Sequence, residues 1–126
     1  MLIETYFREV EQTAAQCYLI SDSRLVTDKR SLYIGFVEGT FTFIDDSVLH
    51  FMEFVNTEDG VNRYKYSYHY QGVDGNLIFR YDMAPHCPDV TTFPHHKHEG
   101  DGSTATSEAP ALREILGEVE CLIRPE

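Results

Sequence analysis

Apolar and polar positions along this chain change their period more than once. Over residues 2–16, Leu2, Tyr6, Val10 and Thr13 or Ala14 recur at helical spacing. Ile3 and Phe7 lie beside them and Glu4, Glu9 and Glu11 between, which predicts a helix with one apolar face. From Tyr18 the pattern becomes short runs rich in aromatic and β-branched residues, over 18–20, 32–38, 40–44 and 48–55. Ser21-Asp22-Ser23, Gly39, Asp45-Asp46-Ser47 and residues 57–60 separate them as turns. Asp45-Asp46 predicts a tight hairpin, with Phe41 and Phe43 on one arm and Leu49 and Phe51 on the other.

Residues 62–70 alternate strictly. Tyr64, Tyr66, Tyr68 and Tyr70 are expected on one face, and Arg63, Lys65, Ser67 and His69 on the other. Gly72-Val73-Asp74-Gly75 is a turn, and 76–82 a returning strand with Leu77, Phe79 and Tyr81 opposite Ile78, Arg80 and Asp82. Residues 83–102 carry three prolines and no apolar period, so they read as a long ordered loop; 100–110 read as a small, polar linker. Residues 111–123 set Leu112, Ile115, Leu116, Val119 and Leu122 against Arg113, Glu114, Glu118 and Glu120, a second amphipathic helix that Pro110 suits as a start. The predicted architecture is α+β: a helix, an antiparallel meander of about six strands, and a helix packed on one face of the sheet, in one domain over residues 1–126.

Composition narrows the class. No apolar run approaches the ~20 residues of a membrane span, and the charged start MLIETYFREVEQ lacks a signal peptide's apolar centre, so a cytoplasmic protein is expected. Cys17, Cys87 and Cys121 are odd in number and far apart, as in reduced thiols. The net charge of −11 argues against a protein that coats nucleic acid. Residues 61–98, however, set Arg63, Lys65, Arg80 and Lys97 against Asp74, Asp82 and Asp89, a net of +1, and hold five of the six histidines. A polyanion can be met there while the rest of the surface repels it; the plain alternative is that acidity only confers solubility.

The densest polar cluster is Arg80-Tyr81-Asp82, then Pro85-His86, then Pro94-His95-His96-Lys97-His98. The prolines restrict the backbone before each histidine group. Metal-independent RNA cleavage needs a base for the 2′-hydroxyl, an acid for the leaving oxygen and a cation for the phosphorane. Histidine serves the first two, with an unperturbed pKa of about 6.5, and arginine the third. Arg63, Lys65 and His69 on one strand face, with Lys97, would bind the phosphates. Tyr66 and Tyr68 would stack bases if their face is open, the alternative being core packing. Asp82 would orient a neighbouring histidine. Glu53 shares a strand face with Leu49, Phe51 and Val55, an unusual place for a carboxylate; pairing with Arg63, pairing with Arg80 and a place at the sheet rim all stay open.

The string from Tyr64-x-Tyr66-x-Tyr68-His69-Tyr70 through Leu77-Ile78-Phe79-Arg80-Tyr81-Asp82 and Pro85-His86 to Phe93-Pro94-His95-His96-Lys97-His98 resembles the TumE-like toxins of prokaryotic type II toxin–antitoxin systems. The resemblance covers most of the chain. It implies a growth-arresting toxin acting as a ribonuclease or on translation, and a cognate antitoxin partner, a small DNA-binding protein. With the chemistry above, it singles out Arg80, Asp82, His86, His96 and His98 as catalytic. No cofactor or metal is expected, RNA is the expected substrate, no membrane is involved, and a homodimer is left open.

Two other readings stand beside this one. His86, His96 and His98, or His95 with Asp82, could ligate zinc for a metal-dependent phosphohydrolase, although His-His-Lys-His matches no standard zinc pattern. Alternatively, the histidine segment is an interaction surface without catalysis.

Overall fold

The computed structural model describes residues 1–83, 95–101, 104–106 and 110–123, with residues 95, 96 and 104–106 described as backbone alone. The element order is α1 (Ile3–Ala15), β1 (Ile20–Lys29), β2 (Ile34–Phe43), β3 (Val48–Asn56), β4 (Asn62–Gln71), β5 (Leu77–Met83), β6 (His95–Glu99), β7 (Thr104–Thr106) and α2 (Leu112–Ile123). The strands form one sheet in sequential order, each antiparallel to the next. The α+β class, the meander and both helices stand as the periodicity predicts.

Helix α1 buries Ile3, Phe7, Val10 and Ala14; α2 buries Leu112, Ile115, Leu116 and Val119. Both stripes share one core with the inward residues of the sheet, among them Val37, Phe41, Leu49, Phe51, Val55, Tyr68 and Phe79. Each fully buried side chain of this size contributes about 1.5–3 kcal/mol relative to exposure. The Asp45-Asp46 hairpin is present: Asp46 takes φ 66°, and the Asp45 side chain accepts from the Ser47 amide at 3.0 Å.

Several boundaries differ from the expectation, each for a local reason. Among the described residues the sheet has seven strands, in keeping with the expected meander of about six. The histidine-rich segment read as loop holds β6, and the polar linker holds β7; neither has apolar alternation, and ladder pairing of β6 to β5 and of β7 to β6 replaces it. Gly39 does not end a strand. It sits inside β2, where a Cβ would collide with the Phe51 ring and Leu25, so glycine is there for close packing. Residues 20–29 form one long edge strand in which all but two residues are exposed, and which therefore shows little period.

The most consequential difference is a bulge in β4. Val55 pairs with Arg63 and Phe54 with Lys65, so Tyr64 is the extra residue. The bulge turns Arg63 inward, onto the face of Tyr66, Tyr68 and Tyr70, and turns Tyr64 outward. The strict alternation expected over 62–70 therefore holds only from Lys65 onward.

Candidate active site

The faces of the sheet carry two separate polar assemblies. On the helix-covered face, Glu53 is 1% exposed. The Tyr6 hydroxyl donates to its Oε1 at 2.5 Å and the Tyr68 hydroxyl to its Oε2. Arg63 Nη1 lies 3.8 Å from Oε2, donates to the Tyr68 hydroxyl at 2.8 Å and to the Pro110 carbonyl, and its guanidinium covers the Tyr66 ring. Burial, then Glu53, pushes the Tyr6 and Tyr68 hydroxyls well up, so both remain donors at neutral pH. Burial alone would lower the Arg63 pKa, but Tyr68 and Glu53 more than compensate and raise it. The hub ties α1, β3 and β4 to one carboxylate and, through Arg63, holds Pro110, two residues ahead of α2. Of the three places left open for Glu53, the structure selects pairing with Arg63.

Four residues expected to bind substrate lie on this helix-covered side instead. Tyr66 and Tyr68 are 1% and 0% exposed and pack in the core, so neither presents a ring to a base. Arg63 is turned to that same side by the Tyr64 bulge and engaged within the hub. Lys97 also lies on the helix side: its Nζ is 3.0 Å from Glu118 and 3.3 Å from Glu99, above the Tyr81 ring. Burial opposes its charge, yet Glu118 and Tyr81 raise its pKa, and it fastens α2 to β6.

On the face that neither helix covers, register aligns a cross-strand row: Thr40, His50, His69, Arg80 and His98, on β2 through β6. Asp82 stands one alternation further along β5, opposite Ser67 and His96. Arg80 Nε donates to Asp82 Oδ2 at 3.0 Å, and Arg80 Nη1 lies 3.4 Å from His69 Nδ1. His98 Nε2 lies 3.4 Å from Asp82 Oδ1. The Arg80 side chain is 39% exposed, so its charge is open to solvent while Asp82, at 9%, fixes it from below. Burial, then the neighbouring Arg80 charge, lowers the His69 pKa, which keeps its imidazole neutral at pH 7. A neutral ring can accept from Arg80 at Nδ1, which sets an imidazole acceptor against a solvent-open cation.

Arg80, Asp82, His98 and His69 are thus brought together, and Lys65 is exposed on the same face. His96 joins by backbone register opposite Asp82, whereas His86 lies outside the described residues. His50, which sequence reasoning passed over, stands beside His69 with ring centroids 6.3 Å apart and its Nδ1 3.2 Å from the Thr40 hydroxyl. The signal was present: Leu49, Phe51 and Val55 point inward, so His50 points outward, and the hairpin to β4 sets it opposite His69.

Charge is divided between the faces. Strand residues on the uncovered face set Arg24, Lys65 and Arg80, with Arg30 just past β1, against Asp22, Asp28, Glu38 and Asp82. Among the described strand residues that face is therefore balanced in charge, on a chain whose net charge is −11. Among the described residues, no three His, Cys, Asp or Glu side chains converge as a metal site, Cys17 and Cys121 are free thiols, and no helix is long and apolar enough to cross a membrane.

No curated protein and no solved structure matches the chain significantly. A family model described as Toxin TumE matches residues 7–123, nearly the whole length, and the chain belongs to that toxin family.

Proposed function

We propose that this chain is the toxin of a type II toxin–antitoxin system and acts as a metal-independent endoribonuclease in the cytoplasm, held in check by a small DNA-binding antitoxin. Family membership supports the toxin role. The observation that carries the nuclease reading is the row of His69, Arg80 and His98 on the uncovered face, with Asp82 bonded to Arg80 and 3.4 Å from His98.

In this mechanism Arg80 binds the scissile phosphate and stabilises the charge that builds on its equatorial oxygens. As the phosphate draws Arg80 onto its oxygens, Nδ1 of neutral His69, which accepts from Arg80 in the free protein, is released to take the proton of the 2′-hydroxyl, whose oxygen attacks phosphorus. The bond from phosphorus to the 5′-oxygen breaks, and protonated His98, oriented by Asp82, gives that oxygen its proton. The products are a 2′,3′-cyclic phosphate and a 5′-hydroxyl. His69 and His98 are two strands apart, about 10 Å at the backbone, which leaves room for a phosphodiester between them.

The test is incubation of purified protein with total RNA in EDTA, followed by analysis of the new ends. Cyclic phosphate and 5′-hydroxyl ends, lost in His98→Gln, are expected. Intact RNA at every protein concentration would sink the nuclease reading. Cleavage that appears only when a divalent metal is restored would instead favour a metal-dependent phosphohydrolase.

A further inference from the structure

The uncovered face holds a second feature that the catalytic row does not use. Phe36 on β2 and Phe54 on β3 stack with centroids 4.4 Å apart and planes inclined by 7°. Tyr64, turned outward by the bulge, meets Phe54 edge-on at 5.3 Å, and its hydroxyl accepts from Asn56 at 2.7 Å. The Arg30 guanidinium sits 5.0 Å above the Phe36 ring. Tyr64 is 49% exposed, although an outward tyrosine on a strand of this sheet could have been any small polar residue. Lys65, next along the chain, is exposed and faces the same side.

The aromatic stack and the catalytic row lie on one continuous surface. Phe54 and His50 share β3 and a face, four residues apart, or about 13 Å along the strand. Between them lie Met52 and Ser67, which are uncharged. Rings flanked by cations on an uncovered sheet face suit single-stranded nucleic acid: each unpaired base has a π-face to stack, and the cations track the backbone. Bases of a duplex stack on one another and have no such face to offer. The neutrality of this face on an otherwise acidic chain points the same way.

We propose that Phe36, Phe54 and Tyr64 form a stacking platform for unpaired bases flanking the phosphodiester held at Arg80, making single-stranded RNA the substrate class. This inference rests on the nuclease reading and extends it from the reacting phosphate to the neighbouring nucleotides.

The experiment is fluorescence anisotropy with a labelled single-stranded oligonucleotide whose 2′-hydroxyls are methylated, so that it cannot be cleaved. Wild-type protein is expected to bind the single strand more tightly than the same strand annealed to its complement. Tyr64→Ala and Phe54→Leu should each weaken binding about fivefold or more, with unchanged melting temperature. Tyr64→Ala alters an exposed side chain and Phe54→Leu keeps most of the apolar volume, so folding should survive both. Affinities within twofold of wild type in both variants, or equal binding of duplex, would overturn the platform. The same variants assayed on total RNA separate the two readings. Wild-type cleavage with undiminished cleavage by both variants removes the platform and leaves the nuclease. Stack-dependent binding without any cleavage leaves the platform and removes the nuclease. A wild type that neither binds nor cleaves removes both.

Discussion

Arg63 with Glu53 and Arg80 with Asp82 are two arginine–carboxylate pairs on neighbouring strands, one on each face of the sheet. Their surroundings differ in what remains available. Both Glu53 oxygens accept from tyrosines, and Arg63 is engaged by Tyr68, Glu53 and Pro110. The Arg80 pair is flanked by two imidazoles, and its guanidinium reaches solvent. Similar side chains therefore serve opposite ends: one pair fastens the helices to the sheet, and the guanidinium of the other is open to solvent. Burial separates them, and the Tyr64 bulge decides on which side Arg63 falls.

The comparison breaks most visibly if the open pair is removed. Arg80→Gln and His98→Gln should each lower RNA cleavage by about 10²–10⁴-fold, the range for a positioned acid, base or charge stabiliser. Their unfolding free energies in urea should fall less than those of the buried-pair variants: about 1–3 kcal/mol for Arg80→Gln, which takes a donor from the buried Asp82 carboxylate, and less than that for His98→Gln. Loss of cleavage accompanied by loss of the folded state would remove the distinction between the faces.

The buried pair should behave in the reverse sense. Glu53→Ala or Arg63→Ala leaves a buried charge without its partner, and urea denaturation should show a loss of about 3–5 kcal/mol. Replacing both residues by methionine should restore much of that loss, since a well-packed apolar pair removes both desolvation penalties. A double variant no more stable than the single variants would mean that the tyrosine hydrogen bonds, rather than the charges, govern the hub.

A smaller effect sharpens the account of the core between the faces. Gly39→Ala places a methyl group against the Phe51 ring and Leu25, and overpacking of this kind costs about 1–3 kcal/mol. Thermal melting should show the decrease while cleavage by the folded fraction is retained.

What the sequence revealed follows from which forces leave a period. The helices and the β3 hairpin were legible because Ile3, Phe7, Leu49 and Phe51 repeat at the spacing their burial demands. The shared face of Arg80 and Asp82 was legible from strand alternation, whereas His98 was singled out by chemical type alone. The strand that carries His98 was not legible: β6 is histidine, lysine and glutamate, and only its ladder to β5 makes it a strand. The bulge at Tyr64 was not either, since an inserted residue in an alternating tyrosine run leaves every neighbour's type unchanged. That one residue moved Arg63 inward, into the Glu53 hub, and Tyr64 outward, beside Phe54.

The subtlest difference between the faces is electrostatic, and proton NMR of the imidazole signals can read it. Burial and the Arg80 charge lower the His69 pKa below its ordinary 6.5. In the folded protein His69 therefore remains neutral as the pH falls past 6.5, where the unfolded chain already takes up a proton. Its contribution to stability is fully present above 6.5 and is lost as the pH falls through the lowered folded value. The acid limb of the cleavage profile set by this base should accordingly lie below 6.5. Arg80→Gln removes the second-largest cause and keeps burial and the His50 neighbour, so the His69 titration should move up toward 6.5 without fully reaching it. A His69 midpoint at or above 6.5 in the wild type, or one unmoved by Arg80→Gln, would mean that the guanidinium and the imidazole are not electrostatically coupled. The base would then have to be sought elsewhere in the row, with His50 the next candidate on the same face.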